Sequence, residues 1–279
     1  MRKSNFQILQ EHFDLRKERK RIEKLFKDIL FYKDDSTEWS PEELVDQYLF
    51  YNWKQRNRCI DLADMKEVLC IDDLFEDDEP SIDNLVKYLE YVVNILYLAE
   101  SYMKNNDKIN YYKNYIVLRE NLNTLLDNIN HEIHLCKNDE KALIVPKNEA
   151  VTAVADIVKP EIALKVIKYN HYLLKGDIET KKSILLDLGE NLEPKRKELK
   201  ELDKTLESNI FYLLNNMNIR HNNKDKSGKN YKEFVYEMEL NQLEEWYDEI
   251  YQLQLLAFLL IKNVERNKKI EDLKIKMGK

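Results

Sequence analysis

Glycine is scarce in this sequence, with four residues in 279, and proline occurs five times. A sheet-rich or doubly wound fold needs many turns that contain glycine, so this composition favours long helices joined by few tight loops. The same scarcity leaves no room for a Walker loop or a dinucleotide fingerprint. We therefore predict an all-α fold, a multi-helix bundle of two helical subdomains without significant β-sheet. We expect no nucleotide chemistry that depends on a Walker loop or on a dinucleotide fingerprint.

Cysteines are few and long apolar runs are missing. Cys59, Cys70 and Cys136 are widely spaced, which suits reduced thiols and offers no zinc pattern. The longest apolar run, from Leu255 to Ile261, is far shorter than the roughly 18 residues that span a bilayer. Met1 to Ser4 lead directly into a charged segment, without a visible signal peptide. We expect a cytoplasmic protein that has no membrane contact, no cofactor and no metal.

Charge is distributed unevenly. The net charge of −7 gives no overall attraction to nucleic acid. Asp61 to Asp83 carries ten acids and one lysine, whereas Arg220 to Lys232 carries five basic residues and one acid. A local basic patch on an acidic protein can still bind a phosphate backbone. The alternative is that both runs are ordinary solvated faces.

Apolar residues recur at helical spacing along most of the chain. One such stripe runs from Leu118 to Ile133. The segment from Lys137 to Pro146 breaks the pattern, and we place a domain boundary there. The prediction is an N-terminal helical domain of unknown role over residues 1–140 and a second helical domain over residues 147–279.

Capping signals predict where several helices begin and end. Ser40 and Ser81 stand in N-cap positions before acidic first turns. One long charged helix is expected from Pro194 to Met217, ending at Asn218. The last helix is expected to run from about Leu240 past Val264 and then to fray.

The polar segment Asn215 to Asn223 is unlike the helical sequence around it. Asparagine favours helix ends and turns, so the long helix is expected to end here. Arg220 and His221 would then project beside Asn222 and Asn223. Arginine binds phosphate bidentately and histidine transfers protons near neutral pH, so the pair could hold and cleave a phosphodiester. Alternatively, Arg220 binds the last carbonyls of the helix or a core carboxylate, and His221 is a second cap.

Four further residues complete the candidate site. Lys224, Lys226 and Lys229 would guide a nucleic-acid strand toward the pair. Asp248, near the start of the last helix, could orient His221 or pair with Arg220 if the two helices pack antiparallel. The helix macrodipole alone also explains an acid at that position.

The other histidines give weaker signals. His131 and His134 could share a metal if they lay on one helix, but they lack the zincin spacing and a third ligand is not evident. We interpret them as surface residues near a helix end. His171 is expected to be half-buried against neighbouring aromatic residues.

The C-terminal half resembles helical proteins of the bacterial abortive-infection type, many of which carry HEPN-like domains. The resemblance covers about Ala150 to Arg266. HEPN domains are helical bundles, often dimeric, and many are metal-independent ribonucleases. The segments that carry the resemblance are Tyr169-Asn170-His171, Lys175-Gly176-Asp177-Ile178-Glu179, Leu192-Glu193-Pro194-Lys195-Arg196, Asn218-Ile219-Arg220-His221-Asn222-Asn223 and Glu244-Glu245-Trp246-Tyr247-Asp248.

The resemblance implies that Arg220 and His221 form a catalytic pair, with Asn222 or Asn223 as the accompanying polar residue. The HEPN motif separates its arginine and histidine by four to six residues, whereas here they are adjacent. The predicted function is phage defence through RNA binding or metal-independent endoribonuclease activity, in a homodimer. The alternative is a non-catalytic helical scaffold that binds a protein partner through its N-terminal helices. The ribonuclease hypothesis is favoured if Arg220, His221 and Asn222 are exposed and converge. The scaffold hypothesis is favoured if Arg220 is buried and fully hydrogen-bonded.

Overall fold

The structure is a computed structural model that describes residues 14–33, 37–75, 81–106, 108–136 and 141–278. Helices dominate these residues and are accompanied by two small antiparallel sheets, which confirms the predicted all-α class. The expectation for Met1 to Ser4 lies outside the described residues. The chain divides into two compact units, Met1–Lys147 and Asn148–Lys279, called here the N-terminal and C-terminal units.

The N-terminal unit is built around one long, buried helix. Its described helices are α1 (Leu15–Phe26), α2 (Pro41–Tyr48), α3 (Leu62–Val68), α4 (Ile82–Lys104) and α5 (Lys113–Asn128). Its strands are β1 (Phe31–Tyr32), β2 (Glu38–Trp39), β3 (Asn110–Tyr111), β4 (His131–Cys136) and β5 (Lys141–Pro146), in sheets of order β2-β1-β3 and β4-β5. Buried residues occupy most of α4, which explains why this helix is apolar on more than one face.

The predicted helix starts in this unit are confirmed. The Ser40 side chain accepts a hydrogen bond from the Glu43 backbone N–H at 3.3 Å, and the Glu43 carboxylate accepts one from the Ser40 N–H at 2.8 Å. Ser81 likewise accepts from the Asn84 N–H at 3.1 Å. These bonds satisfy backbone donors that a helix leaves unpaired in its first turn.

Residues 141–146 of the segment predicted to separate two helical domains form instead a strand of the N-terminal unit, β5. The helical stripe extended to Ile133 was wrong beyond Asn128, because Asn130 adopts a left-handed φ of 57° that ends the helix. The chain then enters β4, which pairs antiparallel with β5. The division between the units follows Lys147. Residues 137–140 lie outside the described part of the chain.

Two polar side chains of α4 pair with the backbone of β5. Asn94 donates to the Ala142 carbonyl and accepts from the Ala142 N–H, both at 2.9 Å. The Glu90 carboxylate accepts from the Ile144 N–H at 2.9 Å. All of these groups are buried, so α4 supplies hydrogen bonds that water cannot provide there.

The C-terminal unit packs its helices around the first half of one long helix. The described helices are α6 (Glu149–Ala155), α7 (Pro160–Lys168), α8 (Ile178–Leu192), α9 (Arg196–Leu202), α10 (Lys204–Asn216), α11 (Glu233–Tyr236) and α12 (Leu240–Lys276). The helix α12 packs against α6, α8, α9 and α10. It does not fray after Val264 as expected but continues to Lys276, although its last two turns are exposed.

The long helix predicted from Pro194 to Met217 is broken at Asp203. Asp203 has an extended backbone, with φ of −150°, and its carboxylate accepts hydrogen bonds from the N–H groups of Thr205 and Leu206 at 2.9 Å. Aspartate is a strong N-cap residue, so it starts a new helix where the apolar stripe alone suggests continuation. The predicted helix end is confirmed, since α10 stops at Asn216.

Candidate nucleic-acid interface

The loop that follows α10 begins with a left-handed residue. Asn218 has φ of 59°, a conformation that asparagine tolerates better than most residues. The turn brings the Arg220 N–H to the Leu214 carbonyl at 2.9 Å, while the Met217 N–H donates to the Leu213 carbonyl at 2.8 Å. These bonds satisfy carbonyls that α10 would otherwise leave unpaired.

Asn218 and Asn223 hold the loop closed by reciprocal hydrogen bonds. The Asn218 N–H donates to Asn223 Oδ1 at 2.7 Å, and the Asn223 N–H donates to Asn218 Oδ1 at 3.1 Å. Asn223 Nδ2 also donates to the Asn230 carbonyl at 2.7 Å. The Asn223 residue is 0% exposed. Its amide is therefore committed to the loop and is not presented to a substrate.

Arg220 is held against the body of the unit. Its guanidinium forms an ion pair with Glu193 and lies 5.2 Å from the centre of the Phe211 ring. The side chain is 19% exposed. Arg196 pairs with the same glutamate at 3.4 Å and lies 4.2 Å from the same ring. Partial burial opposes ionisation of Glu193, but hydrogen bonds from Arg220 and Arg196 outweigh it and hold its pKa below the ordinary value.

His221 and Asn222 are both exposed. Neither side chain forms a hydrogen bond or an ion pair within the part of the chain that the structure describes. The structure thus leaves the imidazole open to a ligand while the guanidinium beside it is already paired. Of the four residues predicted from Arg220 to Asn223, these two remain available for contact.

Asp248 does not join this segment. Its carboxylate pairs with Lys181 Nζ at 2.7 Å and accepts a hydrogen bond from the Tyr169 hydroxyl at 3.0 Å. The buried Lys181 also pairs with Glu244 at 2.8 Å. The expected pairing with Arg220 or His221 is not formed, because the start of α12 meets the start of α8 instead of the end of α10. Burial, and then the neighbouring Asp248 carboxylate, raise the pKa of the Tyr169 hydroxyl.

One of the three predicted lysines, Lys226, lies against an aromatic residue that was not part of the predicted site. Lys226 Nζ is 4.3 Å from the centre of the Tyr236 ring, and the Tyr231 and Tyr236 rings are 5.9 Å apart. Phe234, in the same short helix α11, is 72% exposed. Three aromatic residues follow Lys229 within seven positions of the sequence, and this pattern could have revealed the group. We call it the basic aromatic surface, and its members are Lys224, Lys226, Lys229, Tyr231, Lys232, Phe234 and Tyr236.

Asp225 is the one acid between Arg220 and Lys232, and it is engaged locally. Its carboxylate accepts hydrogen bonds from the Ser227 hydroxyl at 2.7 Å and the Ser227 N–H at 2.9 Å. These bonds hold the pKa of Asp225 below its ordinary value. Five basic residues and this acid give the segment a net charge of +4.

The remaining histidines do not form a metal site. His131 is buried, with Nδ1 2.7 Å from the Ile129 carbonyl, and His134 Nε2 lies 3.0 Å from the Glu132 carboxylate. Both are on a strand, where positions three apart face opposite sides, so the interpretation of surface residues near a helix end was wrong. Among the described residues no group of three or more potential ligands could hold a metal. His171 is buried, with its ring 4.3 Å from that of Tyr172.

Comparison of the chain with protein-family models, with curated proteins and with solved structures gave no match. Function is therefore argued from the geometry of the chain itself. Among the helices described, none combines the length and the apolar character that crossing a bilayer requires.

Proposed function

We propose that the C-terminal unit binds single-stranded RNA on the basic aromatic surface, in a cytoplasmic phage-defence protein of the abortive-infection type. The observation that carries the proposal is the exposed Tyr236 ring, which lies 4.3 Å from Lys226 Nζ and 5.9 Å from the Tyr231 ring. Phe234, two residues earlier in α11, adds a second ring that is 72% exposed. Base stacking on an aromatic ring contributes about 1–3 kcal/mol per base, and lysines attract the phosphates between the bases. The sequence resemblance to HEPN-like domains supports the same class of ligand.

Single strands fit this surface better than duplexes. Stacking requires the face of an unstacked base, which a duplex keeps covered. The lysines of the surface lie on an irregular loop, where they can follow a flexible phosphate backbone. Asn223 and Asn218 hold that loop in place, which lowers the ordering cost of binding.

Fluorescence anisotropy with a labelled oligouridine tests the proposal. The four lysines of the surface predict that log affinity falls with log salt concentration with a slope of about −3, at about −0.7 per phosphate contact. A duplex of the same length should bind at least about tenfold more weakly. Equal binding of the two RNAs, or no salt dependence, would contradict the proposal.

Aromatic substitutions locate the binding surface. Phe234→Ala removes one stacking ring and should weaken binding by about tenfold. The matched control is Tyr51→Ala in the N-terminal unit, because Tyr51, like Phe234, is a highly exposed aromatic residue, with 80% of its surface exposed. The control should bind RNA as the wild type does. Similar losses in the two variants would place the binding surface elsewhere.

Metal-independent RNA cleavage is a second candidate function, favoured by the open imidazole of His221. Since Glu193 holds Arg220, His221 would accept the proton of the ribose 2′-hydroxyl that attacks the phosphorus. The bond from phosphorus to the 5′-oxygen then breaks and that oxygen takes a proton from water, which leaves a 2′,3′-cyclic phosphate and a 5′-hydroxyl. Cleavage by wild-type protein in EDTA, lost in His221→Ala with RNA binding retained, is the expected result. His134→Ala, which removes a partly exposed histidine of the N-terminal unit, is the matched control and should keep the activity. Cleavage that survives His221→Ala would exclude this role.

A further inference from the structure

A second concave site lies in the C-terminal unit, away from the basic aromatic surface. It is bounded by the α6–α7 connection, the end of α8 and the middle of α12, and its volume is about 560 Å³. Small-molecule sites typically have volumes of roughly 300–1,000 Å³. Phe258 and Ile261 of α12 line it and are buried, and Ile157 and Val158 add half-buried apolar surface. The site therefore has the volume of a small-molecule site, and these four residues form its apolar wall beside the charged residues of the lining.

Positive charge predominates among the polar residues that line this pocket. Lys159, Lys195 and Lys262 are accompanied by Glu190 and Glu265, which leaves a net charge of +1. Glu265 forms an ion pair with Lys262, and the hydrogen bond from that lysine holds the pKa of Glu265 below its ordinary value. Within the described part of the chain, neither Lys159 nor Lys195 forms an ion pair. These two ammonium groups are available to a ligand.

We propose that this pocket binds a small organic anion with an aromatic, apolar body. The body would cover Phe258 and Ile261, and the anionic group would lie near Lys159 and Lys195. A neutral molecule of the same shape would gain the apolar contact alone, and a cation would be repelled by the lysines. The pocket shares no residue with the basic aromatic surface, so this site is independent of the proposed RNA binding.

A pair of fluorescent probes separates the contribution of the negative charge from the contribution of the apolar contact. Anilinonaphthalene sulfonate has an aromatic apolar body and one negative charge, and phenylnaphthylamine is its neutral counterpart. Titrated into the full-length protein, the sulfonate should bind saturably with a stoichiometry of one and at least about tenfold more tightly than the neutral probe. Absence of saturable binding, or equal affinity for both probes, would overturn the proposal.

Variants then place the probe. The double variant Lys159→Glu, Lys195→Glu should lose at least about tenfold in affinity for the sulfonate while binding the neutral probe as before. The matched control, Lys200→Glu with Lys204→Glu, makes the same charge change at exposed positions outside the pocket and should behave as the wild type.

A third variant blocks the apolar wall. Val158→Trp fills the pocket and should weaken binding of both probes, with an unchanged circular dichroism spectrum showing that the fold persists. Unaltered binding in the pocket variants, or an equal loss in the lysine control, would show that the probes bind elsewhere and would overturn the proposal.

Discussion

At the scale of single residues, two adjacent asparagines have opposite environments. Asn223 is buried and joins Asn218 and Asn230 through hydrogen bonds, whereas Asn222 is exposed. A buried polar group costs free energy when its partners are removed, and the same truncation at the surface changes little. The loop that carries the basic aromatic surface therefore depends on Asn223.

The first prediction compares these two residues. Asn223→Ala should lower the free energy of unfolding by about 1–3 kcal/mol, because it leaves the Asn218 N–H and the Asn230 carbonyl without their partner. Asn222→Ala should change it by less than about 0.5 kcal/mol. Urea denaturation followed by circular dichroism measures both. Equal effects in the two variants would contradict the role assigned to Asn223.

The second prediction concerns pH and the N-terminal unit. Burial holds the pKa of His131 below its ordinary value of 6.5, although the hydrogen bond to the Ile129 carbonyl opposes this. The unfolded chain then binds a proton more readily than the folded chain, so stability is full above about pH 6.5 and falls as pH drops toward the lowered pKa.

Thermal melts of the wild type, His131→Gln and His134→Gln between about pH 7 and pH 5 check this expectation. The drop in melting temperature with pH should be smaller in His131→Gln than in the wild type. His134→Gln retains the buried His131 and should keep the wild-type drop. The same pH dependence in all three proteins would contradict the argument.

Residue types predicted the helix end at this site but not the contacts of each residue. Asparagine propensity was sufficient to predict that α10 stops near Asn215, because that preference is local. The burial of Asn223 and the ion pair of Asp248 depend on partners elsewhere in the fold. Lys181, which binds Asp248, lies 67 residues away in the chain. Local patterns contain no information about such a pair.

At the scale of secondary-structure elements, Gly189 sets how closely three helices approach. A Cβ atom added at Gly189 would lie 2.7 Å from Leu214 Cδ1 and 3.4 Å from Gln254 Nε2. Leu214 and Gln254 are buried, and Gln254 donates to the Leu185 carbonyl at 2.9 Å. A side chain at position 189 would therefore fit between α8, α10 and α12 only if the Leu214 side chain shifted.

The third prediction follows from this contact. Gly189→Ala should lower the free energy of unfolding by about 1–3 kcal/mol through overpacking, although alanine favours helices by about 1 kcal/mol over glycine. In a Leu214→Ala background the same change should cost less, because the clashing methyl group is gone. Urea denaturation of the wild type, the two single variants and the double variant gives the coupling free energy between positions 189 and 214. An equal loss of unfolding free energy in both backgrounds would contradict the role of the contact between position 189 and Leu214.

Elements were predicted well where periodicity was long and poorly where it was short. The cap at Ser81 correctly predicted the start of α4, the stripe from Leu118 predicted α5 as far as Asn128, and the last helix was correctly predicted from about Leu240. The apolar run Ala142 to Val145 is too short for periodicity to separate a strand from a helix, so the hairpin was missed. The break at Asp203 was missed because the apolar residues before and after it keep the spacing of one continuous helix.

At the scale of the whole molecule, charge is separated along an acidic chain. The chain carries −7 overall, whereas the segment from Arg220 to Lys232 carries +4. Attraction of a polyanion is therefore local to the C-terminal unit. The buried core of this unit involves residues of that unit alone, a property of segments that can fold independently.

The fourth prediction tests this localisation. A fragment of residues 148–279 should be helical by circular dichroism and should bind oligouridine within about threefold of the affinity of the full chain, a difference of less than 1 kcal/mol. The complementary fragment of residues 1–147 should not bind it at the same salt concentration. Tighter binding by the N-terminal fragment would contradict the assignment of the RNA site.

The most direct test of the central claim is photocrosslinking of a single-stranded, iodouracil-substituted RNA to the full-length protein, with crosslinked peptides identified by mass spectrometry. We predict crosslinks at Phe234 and Tyr236, reduced by unlabelled single strands but not by duplex RNA. Crosslinks confined to residues outside 218–236, or no saturable crosslinking at low salt, would contradict the claim that this surface binds RNA.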